Sequence, residues 1–174
     1  MATVVIAISN NSRSEALVRA HRSGIATQHI SAVTHPSEML RDNAIKRALE
    51  DAGVDLVVTA GYMKKLGPKT LKQFEGRIIN VHPSLLPKYG GQGMHGDRVH
   101  SAVLANGDAE SGLTVHLVDS EYDTGPILSQ RRVPVLPNDS VETLAGRIIK
   151  EEHDLLVGTL IDLLASFKAT SLDK

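Results

Sequence analysis

The chain has 174 residues, a formal net charge of -1 and no cysteine. This length suits one domain with a real core, so we expect a single domain over residues 1–174. The balanced charge argues against a nucleic-acid partner, and the lack of cysteine excludes disulfides, thiol nucleophiles and thiolate metal sites. Neither a signal peptide nor a membrane-length apolar run is recognisable, so the composition fits a cytoplasmic enzyme.

Predicted strands and helices alternate along the first third of the chain. Apolar runs at 3–8 and 54–60 predict buried strands, with a short strand at 26–30 between them. Helices are expected at 15–23 and 36–53, and the apolar side of the second is formed by Met39, Leu40, Ile45 and Leu49. This alternation predicts an α/β fold with a mainly parallel sheet and helices on both faces.

The stretch at 78–91 offers candidate catalytic side chains. Residues 78–82 predict a buried strand, on which Asn80 and His82 share one side because strand side chains alternate. Pro83 then ends the ladder. A carboxamide can donate to a developing oxyanion and an imidazole can move a proton, so the pair suits carbonyl chemistry. By itself, an Asn-x-His in a strand is more often structural.

In the second half of the chain, the sequence predicts helices at 99–106 and 141–165 and strands at 113–118 and 127–135. Arg131 and Arg132 favour an edge position for their strand. Asp139-Ser140 caps the last helix, whose buried face is formed by Leu144, Ile148, Leu155, Leu156, Leu160 and Leu163. We expect no metal site, because no standard zinc spacing relates the histidines His82, His95, His100 and His116.

The string Asn-Val-His-Pro-Ser-Leu-Leu-Pro at 80–87 resembles the active-site signature of the folate-dependent formyltransferases. Its Pro-Ser pair is most similar to the phosphoribosylglycinamide (glycinamide ribonucleotide) branch. The acidic turn at 119–126 resembles the second signature of the family, and the loop at 61–67 resembles the loop that holds the pterin. The resemblance extends over nearly the whole chain and implies a Rossmann-like three-layer formyltransferase fold.

The resemblance implies transfer of a formyl group from 10-formyltetrahydrofolate, a consumed cosubstrate, to a primary amine. The expected acceptor is 5-phosphoribosylglycinamide in purine biosynthesis. Asn80 would donate to the oxyanion, His82 would stabilise it and carry a proton, and Asp123 would favour the protonated form of His82. The implied folate-binding residues are Met63, Lys64, Lys65, Leu66, Asp119, Ser120, Glu121 and Tyr122. Glu152 matches a family position near the ribonucleotide.

The start of the chain departs from the family pattern. The family begins with an extra strand and a glycine-rich loop that binds the substrate phosphate, whereas residues 8–14 contain no glycine. Residues 7–25 are more similar to the second strand and helix of the family, which implies an N-terminally shortened fold. We expect either that the strand at 3–8 takes the interior position or that a second copy completes the sheet as a homodimer. Arg13 is the best replacement for the phosphate loop.

Three other functions stay open at this point. The same residues could use water as the acceptor, which would make the protein a 10-formyltetrahydrofolate hydrolase. The acceptor could be another amine, such as an amino sugar. The chain could also be a non-catalytic folate-binding module.

Overall fold

The computed structural model describes residues 2–172, which form six strands and five helices that alternate up to the fifth strand. In chain order these elements are β1 (Ile6–Ser9), α1 (Glu15–Arg22), β2 (Ala26–His29), α2 (Glu38–Asp51), β3 (Val57–Thr59), α3 (Pro68–Gln73), β4 (Ile78–His82), α4 (Asp97–Ala105), β5 (Glu110–Leu117), β6 (Ile127–Pro134) and α5 (Val141–Leu172). The α/β class predicted from the sequence is confirmed. Among residues 2–172, no helix is both long enough and apolar enough to cross a membrane.

The strands form two sheets. The first contains β1 and β2 in parallel, and the second has the order β3-β4-β5-β6. The parallel arrangement expected from alternating elements holds for β1 and β2, whereas β4 pairs antiparallel with β5 and β5 with β6. The loop at 118–126 joins β5 to β6 and is too short to contain the crossover that a parallel pair requires. Strand β6 is an end strand, as its two arginines predicted.

The chain divides into two compact units, and the expectation of a single domain stays a prediction. The first unit consists of residues 2–57 and 64–78. Its core includes apolar side chains of α2 and the buried Phe74. The buried carboxylate of Asp42 accepts hydrogen bonds from the backbone N–H groups of Lys69 and Thr70, each at 2.9 Å. These N–H groups have no partner within the first turn of α3. Asp42 of α2 therefore caps the start of α3 and joins the two helices.

The second unit consists of residues 58–63 and 79–172. Helix α5 packs against β5, β6 and α4. Its buried residues include Leu144, Ile148 and Leu155 from the predicted face, and its partners supply the fully buried core residues Val99, Val103, Leu113 and Val115. This packing holds β4 and β5, and therefore their polar side chains, in place.

Two expectations about apolar faces are wrong. Met39 and Leu40 are 63% and 46% exposed, because the buried face of α2 begins one turn later, at Asp42. The strands expected at 3–8 and 54–60 are not fully buried: β1 is half-buried throughout, Val4 and Val5 are 63% and 42% exposed, and Val58 of β3 is 39% exposed. Helix α5 also continues beyond the predicted end at 165, to Leu172.

The expectation that the first strand takes an interior position is also wrong. Within residues 2–172, β1 pairs only with β2, and β3 lies at one end of the second sheet. An interior strand needs a hydrogen-bonded neighbour on both edges. The alternative, completion by a second copy, stays a prediction.

Candidate active site

The register of β4 against β5 brings polar side chains onto one face of the second sheet. Asn80 lies opposite His116, and His82 lies opposite Thr114, in the antiparallel pairing. Opposite residues point to the same face, as do alternate residues of one strand. His82, Thr114 and His116 are buried and Asn80 is half-buried, so these side chains meet largely away from solvent.

The Asn80 carboxamide is held at both ends. Its Nδ2 lies 3.2 Å from Nε2 of His116, and its Oδ1 lies 2.8 Å from the hydroxyl oxygen of Thr59. Nδ1 of His116 donates to the carbonyl of Leu117 at 2.8 Å, so in the neutral ring Nε2 is the acceptor. Asn80 therefore donates to His116 through one Nδ2 hydrogen.

His82 lies between a backbone carbonyl and a carboxylate. Its Nε2 donates to the carbonyl oxygen of Tyr89 at 2.7 Å, and its Nδ1 is 3.5 Å from Oδ2 of Asp123. This distance confirms the expected proximity of His82 and Asp123. Burial lowers the pKa of His82, while the charge of Asp123 and the bond to Tyr89 act in the opposite direction. Asp123 thus favours the protonated ring, as expected, but desolvation outweighs it.

Asp123 has a second set of partners and an unusual backbone conformation. Oδ2 accepts from the N–H of Gly91 at 2.9 Å, and Oδ1 is 3.5 Å from Nε2 of His116. Burial opposes ionisation of the carboxyl, but the neighbouring imidazoles of His116 and His82 and the bond from Gly91 lower its pKa on balance. Asp123 and Tyr89 have φ values of 58° and 56°, the only positive ones outside glycine in residues 2–172. Left-handed backbone costs free energy and concentrates at functional sites, and both residues contact His82.

Three residues of this cluster were not predicted as site residues. Thr59 reaches Asn80 from β3, the Tyr89 carbonyl reaches His82, and His116 contacts both Asn80 and Asp123. From the sequence, His116 is a candidate only for metal binding. The signal for it is the Thr-x-His alternation on β5, but its use requires the antiparallel register. No group of three or more His, Asp or Glu in the described part of the chain could hold a metal ion.

The loop residues expected to bind folate are exposed or half-buried, and their role stays a prediction. Asp119 closes its own loop, because Oδ1 accepts from the N–H of Glu121 at 2.9 Å and from the hydroxyl of Thr124 at 2.8 Å. The remaining residues of this set are also exposed or half-buried; they are Met63, Lys64, Lys65, Leu66, Ser120, Glu121 and Tyr122. Of these, Lys64, Lys65 and Leu66 belong to the first unit.

Glu152 and Arg13, expected near the substrate, lie in separate units. Glu152 is half-buried on α5, and burial raises its pKa. Arg13 is exposed in the loop before α1, where its backbone N–H donates to Oδ1 of Asn11 at 3.0 Å. Substrate binding by either residue stays a prediction.

The second unit therefore combines an oriented amide donor, a buried imidazole and an ionised carboxylate around His116. An amide N–H can stabilise an oxyanion, and an imidazole beside a carboxylate can carry a proton. These are the requirements for addition of a nucleophile to a carbonyl carbon.

Comparison with known proteins identifies the family. A sequence profile described as formyl transferase matches residues 1–160. The chloroplastic phosphoribosylglycinamide formyltransferase of Vigna unguiculata is 42% identical over 154 residues, which are 88% of this chain and 49% of that protein. The phosphoribosylglycinamide formyltransferase of Haemophilus influenzae is 38% identical over 154 residues, 88% of this chain and 70% of that one.

A solved phosphoribosylglycinamide formyltransferase from Bacillus halodurans has the same fold, with a TM-score of 0.86 at 33% identity. The match covers 93% of this chain and 81% of that one. The chain spans about half the length of the plant relatives, 49% and 43% of the Vigna unguiculata and Arabidopsis thaliana proteins. On the profile match and these similarities, the chain belongs to the formyl transferase family.

Proposed function

We propose that this protein transfers the formyl group of 10-formyltetrahydrofolate to a primary amine, with 5-phosphoribosylglycinamide in purine biosynthesis as the acceptor. The observation that carries the proposal is the contact of His82 with Asp123 at 3.5 Å, beside the oriented amide of Asn80. The names of the relatives support the acceptor. The composition supports a cytoplasmic location.

In the proposed reaction, the amine nitrogen attacks the formyl carbon and a new C–N bond forms. The carbonyl oxygen becomes an oxyanion, to which the remaining Nδ2 hydrogen of Asn80 donates. The bond between the formyl carbon and the folate nitrogen then breaks. The amine loses one proton and the folate nitrogen gains one, so atoms and charge balance without a covalent enzyme intermediate.

His82 is the proposed carrier of that proton. Nε2 carries the single hydrogen of the neutral ring, because it donates to the Tyr89 carbonyl. Nδ1 is therefore the nitrogen that can accept a further proton. The carboxylate of Asp123 faces this nitrogen and stabilises the imidazolium as it forms. Desolvation keeps the resting ring neutral, which suits a group that must first accept a proton.

The binding residues form the remaining part of the proposal. The loops that contain Met63, Lys64, Lys65 and Leu66 and Asp119, Ser120, Glu121 and Tyr122 would bind the folate. Arg13 would bind the substrate phosphate, and Glu152 would contact the ribonucleotide. A guanidinium suits phosphate oxygens because it donates through two N–H groups at once. No metal has a step in this chemistry.

The test measures formyl transfer and formate release separately, with 10-formyltetrahydrofolate and a panel of amines that includes 5-phosphoribosylglycinamide and an amino sugar. We expect transfer to the ribonucleotide, and we expect Asn80→Ala to lower kcat on the order of 100-fold, because one preorganised donor to the oxyanion is lost. Formate release without transfer would assign the hydrolase function instead. Folate binding without either product would identify a non-catalytic module.

Arg13→Ala provides the matched test of the acceptor. If Arg13 binds the phosphate, KM for the ribonucleotide rises at least tenfold while KM for the folate stays unchanged. Arg22→Ala, at the end of α1, is the control for loss of a positive charge. An unchanged KM in Arg13→Ala would contradict the role of Arg13.

A further inference from the structure

Thr59 lies at one end of a chain of hydrogen bonds that begins at a backbone carbonyl. The Leu117 carbonyl accepts from Nδ1 of His116, which leaves Nε2 of the neutral ring as an acceptor. In this tautomer Nε2 accepts a hydrogen from Asn80, whose Nδ2 lies 3.2 Å away. Oδ1 of Asn80 must then face the opposite way, towards Thr59.

The Thr59 hydroxyl completes this chain. Its oxygen is 2.8 Å from Oδ1 of Asn80 and 3.1 Å from the carbonyl oxygen of Ile79. Both neighbours are acceptors, so the single hydroxyl hydrogen is shared between them and favours the shorter contact with Asn80. Thr59 is half-buried, which limits competition from water for Oδ1.

We propose that Thr59 is a positioning residue for the formyl transfer. It holds the Asn80 carboxamide so that one Nδ2 hydrogen points to His116 and the other is available to the oxyanion. Turning the amide over would place Oδ1 against the acceptor nitrogen of His116 and would withdraw the oxyanion donor. This role rests on the proposed function of Asn80.

The central experiment compares Thr59→Val with Thr59→Ser. Valine has nearly the shape of threonine but cannot donate, whereas serine keeps the hydroxyl. We expect Thr59→Val to lower kcat about tenfold with little change in either KM, because an interaction worth about one hydrogen bond is lost only in the transition state. We expect Thr59→Ser to restore most of the rate. Equal losses in both variants would overturn the proposal.

Two controls separate positioning from a change in stability. Thr143→Val removes the hydroxyl bonds of Thr143 to Asp139 and Ser140 at the start of α5. It therefore tests the loss of a threonine hydroxyl that does not contact Asn80. It should reduce the melting temperature without changing kcat. In an Asn80→Ala background, adding Thr59→Val should cost no further rate, since the residue that it positions is already gone.

An NMR measurement tests the contact without turnover. In protein labelled with ¹⁵N-asparagine, the side-chain amide signal of Asn80, assigned by its loss in Asn80→Ala, should shift in Thr59→Val and keep its position in Thr59→Ser. An unshifted signal in Thr59→Val would overturn the proposal. A full rate in Asn80→Ala would instead refute the catalytic role of Asn80 and leave the NMR result to decide the contact.

Discussion

His82 is the residue on which the proposed proton transfer depends, and its two ring nitrogens have unequal neighbours. Nε2 meets a neutral carbonyl, whereas Nδ1 meets a carboxylate that carries charge. Desolvation and the Asp123 charge act on its pKa in opposite directions, so removing the charge has a definite sign.

We therefore predict that Asp123→Asn lowers the pKa of His82 further and reduces kcat at least 100-fold. Burial then acts without an opposing carboxylate, and the imidazolium that forms during the reaction loses its partner. NMR titration of the His82 ring measures the pKa, and Asp162→Asn on exposed α5 surface is the matched control. A rise in the pKa of His82 would contradict the assigned coupling.

Acidification should destabilise the protein in two stages. Burial lowers the pKa values of His82 and His100 in the folded state below 6.5, so the unfolded chain takes up their protons first. Their contribution to the free energy of unfolding is present above pH 6.5 and is lost as the pH falls through the folded values. Asp123, whose folded pKa is also lowered, adds a second loss below pH 3.8. Urea unfolding between pH 8 and pH 3 measures both stages.

The control for the first stage is His82→Gln, which removes one of the two imidazoles whose pKa burial lowers. We expect the free energy of unfolding of this variant to change less between pH 7 and pH 5 than that of the parent. An identical slope in both proteins would contradict the contribution of His82.

At the scale of elements, the loop at 118–126 positions Asp123 by closing tightly onto the end of β5. The N–H of Leu117 donates to the carbonyl of Pro126 at 2.9 Å, and a Cβ added at Gly125 would overlap the carbonyl oxygen of Leu117. Backbone atoms cannot move aside as a flexible side chain can. Residue 125 must therefore be glycine because there is no room for a Cβ, and not because its backbone has a positive φ.

Gly125→Ala should displace this loop together with Asp123. We predict a loss of about 1–3 kcal/mol in the free energy of unfolding and at least a tenfold loss in kcat, since a small misplacement of a catalytic group is costly. Gly146→Ala is the matched control, because nothing lies within 4 Å of a Cβ added there in α5. It should stabilise the protein by up to about 1 kcal/mol and leave kcat unchanged. Equal behaviour of the two variants would contradict the role of the loop.

The junction of α2 with α3 depends on one carboxylate. Asp42→Ala leaves the first backbone N–H groups of α3 without their acceptor, so we predict a loss of about 2 kcal/mol in the free energy of unfolding. Asp51→Ala, at the exposed end of α2, is the control and should change stability by no more than about 0.5 kcal/mol. Chemical denaturation measures both, and similar values for the two would contradict the capping role.

At the scale of the whole molecule, β1 presents an edge with unusual chemistry. Residues 2–12 contain no charged side chain and no proline, and Val4 and Val5 are 63% and 42% exposed. Native edge strands are commonly protected by charge, proline or a bulge, because an open edge pairs with other chains. We retain the prediction that a second copy pairs with this edge to form a homodimer.

Sedimentation or light scattering over a hundredfold range of concentration tests this prediction. We expect dimers in the parent and monomers in Val5→Lys, since a buried lysine opposes edge pairing. Val33→Lys, which changes an 88% exposed valine outside the strands, should leave the dimer intact. A parent protein that is monomeric at every concentration would contradict the homodimer.

The sequence by itself determined the local features of this protein. Runs of apolar residues located most strands, and Pro36-Ser37 located the start of α2, because these signals depend on neighbours along the chain. Strand alternation predicted that Asn80 and His82 share a side, and the resemblance predicted Asp123 as their partner. These expectations needed no knowledge of which strand lies beside which.

Only the tertiary structure decided which side chains complete the site. Thr59, Tyr89 and His116 reach Asn80 and His82 from other strands and loops. The contact of His116 follows from the antiparallel register of β4 with β5, and a shift of one residue would turn His116 to the other face. The tertiary structure also decides that the pKa of His82 is lowered, because desolvation depends on the packing around the ring and not on its sequence neighbours.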